Sequence, residues 1–162
     1  MALFERLAGG DGWTVGRVGN SVFNSYRGAP SESLPAWFEA FDHVISLHPE
    51  GITSVTVFDE RAEVPPTSVF HDVARRFRAY VPYTLAVVSV FEGSSVKASV
   101  KRTAVSIVQT ILAPSYPVRT SRSLAEACDF ISRYAVDDAG QPLAQPTLLM
   151  AFNAMRVTSG RV

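Results

Sequence analysis

Residues 83–91 read Tyr-Thr-Leu-Ala-Val-Val-Ser-Val-Phe, a run that is nearly all apolar and rich in β-branched side chains. A strand with one face in water alternates apolar and polar residues, whereas a strand covered on both faces has no polar side. The run is therefore expected as a strand in the middle of a sheet with helices on either face. It is about half the length a helix needs to cross a bilayer. Just upstream, Pro65-Pro66-Thr67 opens a helix with Val69, Phe70, Val73, Ala74 and Phe77 on one face and Arg75, Arg76 and Arg78 on the other, ended by Pro82. Just downstream, Gly93-Ser94-Ser95 leads into a long helix carrying Val96, Val100, Ile107 and Ile111, with Lys97 and Lys101 one turn apart and Pro114 at its end.

The same alternation of periods continues outward. Residues 52–58 are β-branched enough to be a strand. Leu34, Trp37, Phe38, Phe41, Val44 and Ile45 recur at helical spacing after Ser31 and Ser33, two candidate caps, and Pro49 and Gly51 close that helix. Residues 13–18 and 21–26 flank Gly19-Asn20, a pair that tolerates positive φ, and predict a β-hairpin. Beyond the long helix, a strand at 116–120 precedes Ser123-Leu-Ala-Glu126, which has capping-box spacing, and a helix through Leu124, Ala127, Cys128, Ile131 and Tyr134. The order is ββαβαβαβα, an α/β domain over residues 1–136 with a mixed sheet whose later strands run largely parallel. Residues 137–146 are expected to be a linker. Residues 147–162 form an apolar segment that, if helical, puts Leu148, Leu149, Phe152 and Met155 on one face for packing on its own domain, a second copy or a partner's groove. Phe152 is expected to be buried in the assembled protein.

A chain of 162 residues with 47% apolar content can bury a core without staples. Fifteen basic residues balance fifteen acidic ones, so the broad positive surface that nucleic acid demands is not expected. The single cysteine, Cys128, has no partner for an internal disulfide and falls on an apolar helix face, where it reads as an inert buried side chain. Residues 1–10 lack the basic and apolar regions of a signal peptide. A cytoplasmic protein without a transmembrane segment is the expectation.

The element order, together with Gly93-Ser94-Ser95 before the third helix and the stretch from Val118-Arg119-Thr120 to Ala127, resembles the STAS-like fold. That family includes sulfate-transporter domains, anti-sigma-factor antagonists and small bacterial proteins. The resemblance covers roughly residues 13–134 and implies a regulatory domain that binds a protein partner. In the antagonists, an Asp-Ser-Ser-Gly-type turn after the third strand carries a phosphorylated serine. Here the corresponding stretch, from Phe58-Asp59-Glu60-Arg61 to Thr67-Ser68, is longer and lacks that motif. Ser68 is the serine near the equivalent helix start, a phosphosite by that analogy or, read from its position, a helix-capping residue.

Among residues that carry chemistry, Ser68, His71 and Asp72 share one helix, but adjacent helical positions point about 100° apart, so Asp72 does not orient His71. His43 and His48 are read as solvated. Asp59, Glu60 and Glu63 cluster after a strand and read as a hydrophilic loop or, less simply, a cation or proton site. The sharpest local signal is Gly93, Ser94, Ser95 and Lys97, where free amides at a strand-to-helix junction and a lysine in the first turn make half of a phosphate site; an N-capped helix with solvated lysines explains the same residues. No Walker or Gly-x-Gly-x-x-Gly pattern accompanies it. No metal site or cofactor is expected. The function expected is non-enzymatic binding of a protein partner or a second copy, with binding of a small anion (a nucleotide or lipid headgroup) at 93–97 as the alternative.

Overall fold

The computed structural model describes residues 3–28, 32–63, 66–93, 101–102 and 115–159. Six strands, β1 (Glu5–Gly10), β2 (Trp13–Val18), β3 (Ser21–Tyr26), β4 (Ile52–Phe58), β5 (Thr84–Phe91) and β6 (Val118–Ser121), form one mixed sheet in simple sequence order. The first three are antiparallel and β3 to β6 are parallel. Around them lie α1 (Leu34–Leu47), α2 (Thr67–Phe77) continued by a 3-10 helix (Arg78–Tyr83), α3 (Leu124–Ile131) and α4 (Gln145–Ser159). The protein is α/β, as the alternating periods predict.

Each parallel crossover steps one strand in the same direction, so the right-handed rule puts α1 and α2 on one face and leaves the other to α3 and α4. On the first face Val15, Val22 and Ile52 pack with Trp37, Phe38, Phe41, Val44 and Phe77. On the second, Phe23, Val55, Val57 and Val88 pack with Leu124, Cys128 and Ile131 of α3 and with Leu148, Phe152 and Met155 of α4. Every residue of β3 and β4 is therefore buried, polar ones included. β5 lies between β4 and β6, one strand in from the edge. Cys128 is wholly buried, and burial pushes its thiol up to about 12.

Three segments differ from the sequence reading. β1 was not expected: only Leu7 and Ala8 of its residues are apolar and half-buried, and a register shift between Arg6 and Ala8 breaks the period. The signal that remained was Asp11-Gly12, the tight turn into β2, where Gly12 takes a φ of 74°. Residues 137–146 are not a free linker. The Asp137 carboxylate accepts from the Ala139 and Gln141 amides at 2.9 and 2.8 Å, Leu143 N donates to Ala135 O at 2.9 Å, and Leu143 is buried. Their polar composition serves a hydrogen-bonded turn. That turn delivers α4 into the same core as the sheet, so 147–159 is no separate segment: Leu148, Phe152 and Met155 are fully buried and Leu149 packs against the same cluster. Of the long helix expected after Gly93, only Lys101 and Arg102 lie within the described residues, and both are helical.

Candidate functional site at the carboxyl edge of the sheet

Tyr26, Phe58 and Phe91 end three neighbouring parallel strands at one level. Their rings form a layer across the sheet, Tyr26 to Phe58 at 5.4 Å and Phe58 to Phe91 at 4.5 Å. Above this layer the chain leaves the strands into Arg27-Gly28, Asp59–Glu63 and Glu92-Gly93, at the edge where open α/β sheets place their ligands. Tyr26 is the floor. Asn24 Nδ2 donates to its hydroxyl at 2.6 Å, and burial pushes the phenol up to about 12, which keeps it neutral.

Charged side chains organise these loops. Lys101, buried, donates to the carbonyls of Glu60 and Ala62, and Arg102 Nη1 donates to those of Phe91 and Gly93 at 3.2 and 3.1 Å. Two successive cations thus hold the loops after β4 and β5. Gly93 has a φ of 104°, and a Cβ there would come within 3.0 Å of the Glu60 carboxyl group, so no other residue fits this approach without strain. Arg156 of α4 binds Glu92 through two hydrogen bonds of 2.5 Å, joining the last helix to the end of β5. The Asp59 carboxylate accepts from Arg61 N at 2.9 Å, and its other oxygen lies 3.8 Å from Arg27 Nε. Between these groups opens a cleft of about 190 Å³ whose lining includes Gly12, Ser25, Arg27, Asp59, Asn153 and Arg156.

The residues singled out in the sequence fall as follows. Gly93 stands at this edge, while Ser94, Ser95 and Lys97 lie outside the described residues. Asp59, Glu60 and Glu63 lie in the loop beside it. Ser68 is the exposed second residue of α2, and no side chain caps that helix. Asp72 pairs with Arg75 at 2.5 Å, not with His71. Leu148, Phe152 and Met155 are core residues, as above. Of the cleft's side chains the sequence reading singled out Asp59 but missed Arg27, Asn153 and Arg156. Arg27 and Glu92 follow strand ends directly, a signal that was present, but Asn153 and Arg156 reach the site only because α4 docks.

His48 corrects another expectation: its ring is 4% exposed rather than solvated, with Nε2 3.1 Å from Asp138 and Nδ1 3.4 Å from Glu50. The turn at Asp137 folds over the end of α1 from ninety positions away, a contact no local pattern announces. His43 does remain exposed. Arg17 joins this second cluster, at the opposite edge, with 2.7 Å contacts to both Asp138 and Glu5. The Arg17 guanidinium, then His48, holds the Asp138 carboxyl below its ordinary value despite some desolvation. A depressed carboxyl stabilises the fold above its unfolded pKa, and that contribution is lost as pH falls through the folded value. Asp138→Asn should therefore lower stability at neutral pH and reduce the loss on acidification, with the two proteins converging as pH falls below the carboxyl's folded value. Parallel pH curves in urea titrations would contradict this.

Among the described residues no three His, Cys, Asp or Glu side chains are grouped to hold a metal ion, and no helix is long and apolar enough to cross a membrane. Comparison with known proteins finds no matching family model, no matching curated protein and no matching solved structure.

Proposed function

We propose that this chain is a non-enzymatic, STAS-like regulatory domain of the cytoplasm that engages a protein partner through the carboxyl edge of its sheet. The observation that carries the reading is the cleft beside Arg27, Asp59 and Asn153. Its walls come from the turn at Gly12, the chain leaving β3 and β4, and α4, over Tyr26 as floor. Lys101 fixes the loop after β4 and the Arg156–Glu92 pair fixes α4 against β5, which is how binding surfaces are presented on a scaffold. At about 190 Å³ it is smaller than the pockets of roughly 300 Å³ and upward that enclose small molecules, and it suits a single projecting side chain. The lone cysteine, buried and unpaired, suits a reducing compartment.

A second reading, a small anion at 93–97, is favoured by Gly93 and Arg102 at the same edge. Two measurements separate them. A photo-crosslinking residue placed at Asn153 is expected to capture a protein of defined mass in cells, while the same residue at Met150, exposed on the outer face of α4, is not. Equal capture at both positions, or none, would overturn the partner reading. Stabilisation by nucleotides or phosphorylated metabolites in a thermal-shift screen would favour the anion instead.

A further inference from the structure

Of the cations at the carboxyl edge among the described residues, three are committed to backbone or to a carboxylate. Lys101 and Arg102 bond loop carbonyls, and Arg156 bonds Glu92. Arg27 differs. Its side chain is 52% exposed, its nearest carboxylate oxygen is 3.8 Å away, and its guanidinium makes no side-chain hydrogen bond among the described residues. The backbone beneath it is fixed, since Arg27 N donates to Gly12 O at 2.7 Å and Asp59 N donates to Tyr26 O at 3.0 Å. The other Asp59 oxygen accepts from the Arg61 amide at 2.9 Å. Among the described residues other than its chain neighbours, nothing stands within 4 Å of where a Cβ would be at Gly28.

From this we infer that Arg27 is the anchor for a carboxylate presented by the partner, an acidic side chain or a chain terminus. The inference rests on the protein-binding reading above. The guanidinium fork matches two carboxylate oxygens, and Ser25 and Asn153 line the same cleft with further polar atoms. Asp59 sets the charge of the guest. Arg27 and Asp59 nearly cancel at a distance, so a second negative charge gains little attraction and costs more desolvation. A monoanionic carboxylate is preferred to a dianionic phosphate.

The test uses the isotope-labelled full chain, with acetate and inorganic phosphate as probes. Acetate is expected to give saturable shifts centred on Gly12, Arg27, Gly28 and Asn153, and to bind more tightly than phosphate. Arg27→Gln should weaken acetate about tenfold at an unchanged thermal midpoint, and Arg27→Lys should restore only part, because the charge returns without the fork. Asp59→Asn should tighten phosphate more than acetate. Shifts that survive Arg27→Gln, that centre elsewhere, or that favour phosphate in the unmodified protein would overturn the assignment. If Asn153 still crosslinks a partner while the acetate site is absent, the anchor fails and the partner reading stands. An intact acetate site without crosslinks overturns the partner reading and, with it, the partner as the source of the carboxylate, leaving only a carboxylate site at Arg27.

Discussion

Asn20→Ala is expected to cost about 3 kcal/mol of folding stability, read as a lowered urea midpoint with an unchanged slope. Asn20 sits 1% exposed in the β2–β3 turn, where its side chain joins three chain segments. Nδ2 donates to Gly51 O at 3.1 Å and to Tyr134 O at 3.2 Å, and Oδ1 accepts from Val136 N at 2.9 Å. Its backbone adds two more bonds, N to Val136 O and O from Thr53 N, both 3.0 Å, which alanine keeps. The substitution thus leaves two carbonyls and an amide without their partners in places from which water is largely excluded, and orphaned groups cost more than the bonds themselves contribute. Asp at the same position retains the acceptor for Val136 N but loses both donors, and it should fall between alanine and the native protein. A loss below about 1 kcal/mol for alanine would mean that water replaces the lost bonds and that the turn is not the junction described.

The features that were legible in the sequence are those whose cause is local. The hairpin at Gly19-Asn20 pairs Val18 with Ser21 as its length requires, and α1 begins after Ser33, though that side chain makes no capping bond to it. Ser123 caps α3, its Oγ accepting from Glu126 N at 3.2 Å, while the Glu126 carboxylate accepts from Arg122 N and not from Ser123 N. The apolar run before Glu92 identified a parallel strand because covering both faces erases alternation within the run itself. What was hidden depends on residues far apart in sequence. The clasp of Asn20 on Val136, the burial of His48 under Asp138 and the arrival of Arg156 at Glu92 each join positions at least sixty-four apart. The stretch at 137–146 looked like a linker because polar turn residues and flexible ones share a composition. Their difference lies in whether the side chains bond their own backbone, as Asp137 does. The carboxyl edge was legible as a location from Gly93 and the acids after Phe58, but the cleft itself needed α4 in place.

That dependence makes Phe152 the second critical position. Its ring is fully buried and stacks on Phe23 at 4.8 Å with the planes 10° apart, within a cluster that includes residues of the sheet, α3 and α4. Phe152→Ala should cost about 3–5 kcal/mol, the loss of transfer energy plus a cavity between α4 and the sheet. The helix has no slack to fill that cavity. Gly16 lies so close under Met155 that a Cβ there would fall 2.5 Å from the sulfur, so α4 already rests against backbone. Met150→Ala, on the exposed side of the same helix, should change stability by no more than about 0.5 kcal/mol and serves as the control. Because α4 also carries Asn153 and Arg156, loosening it should weaken the carboxyl-edge site before the domain unfolds, seen as reduced acetate shifts at Arg27 at temperatures where the far-ultraviolet signal is still native. Equal effects of the two alanine variants on stability would show that α4 contributes little to the core, and an unaltered Arg27 response in Phe152→Ala would separate the cleft from the docking of the last helix.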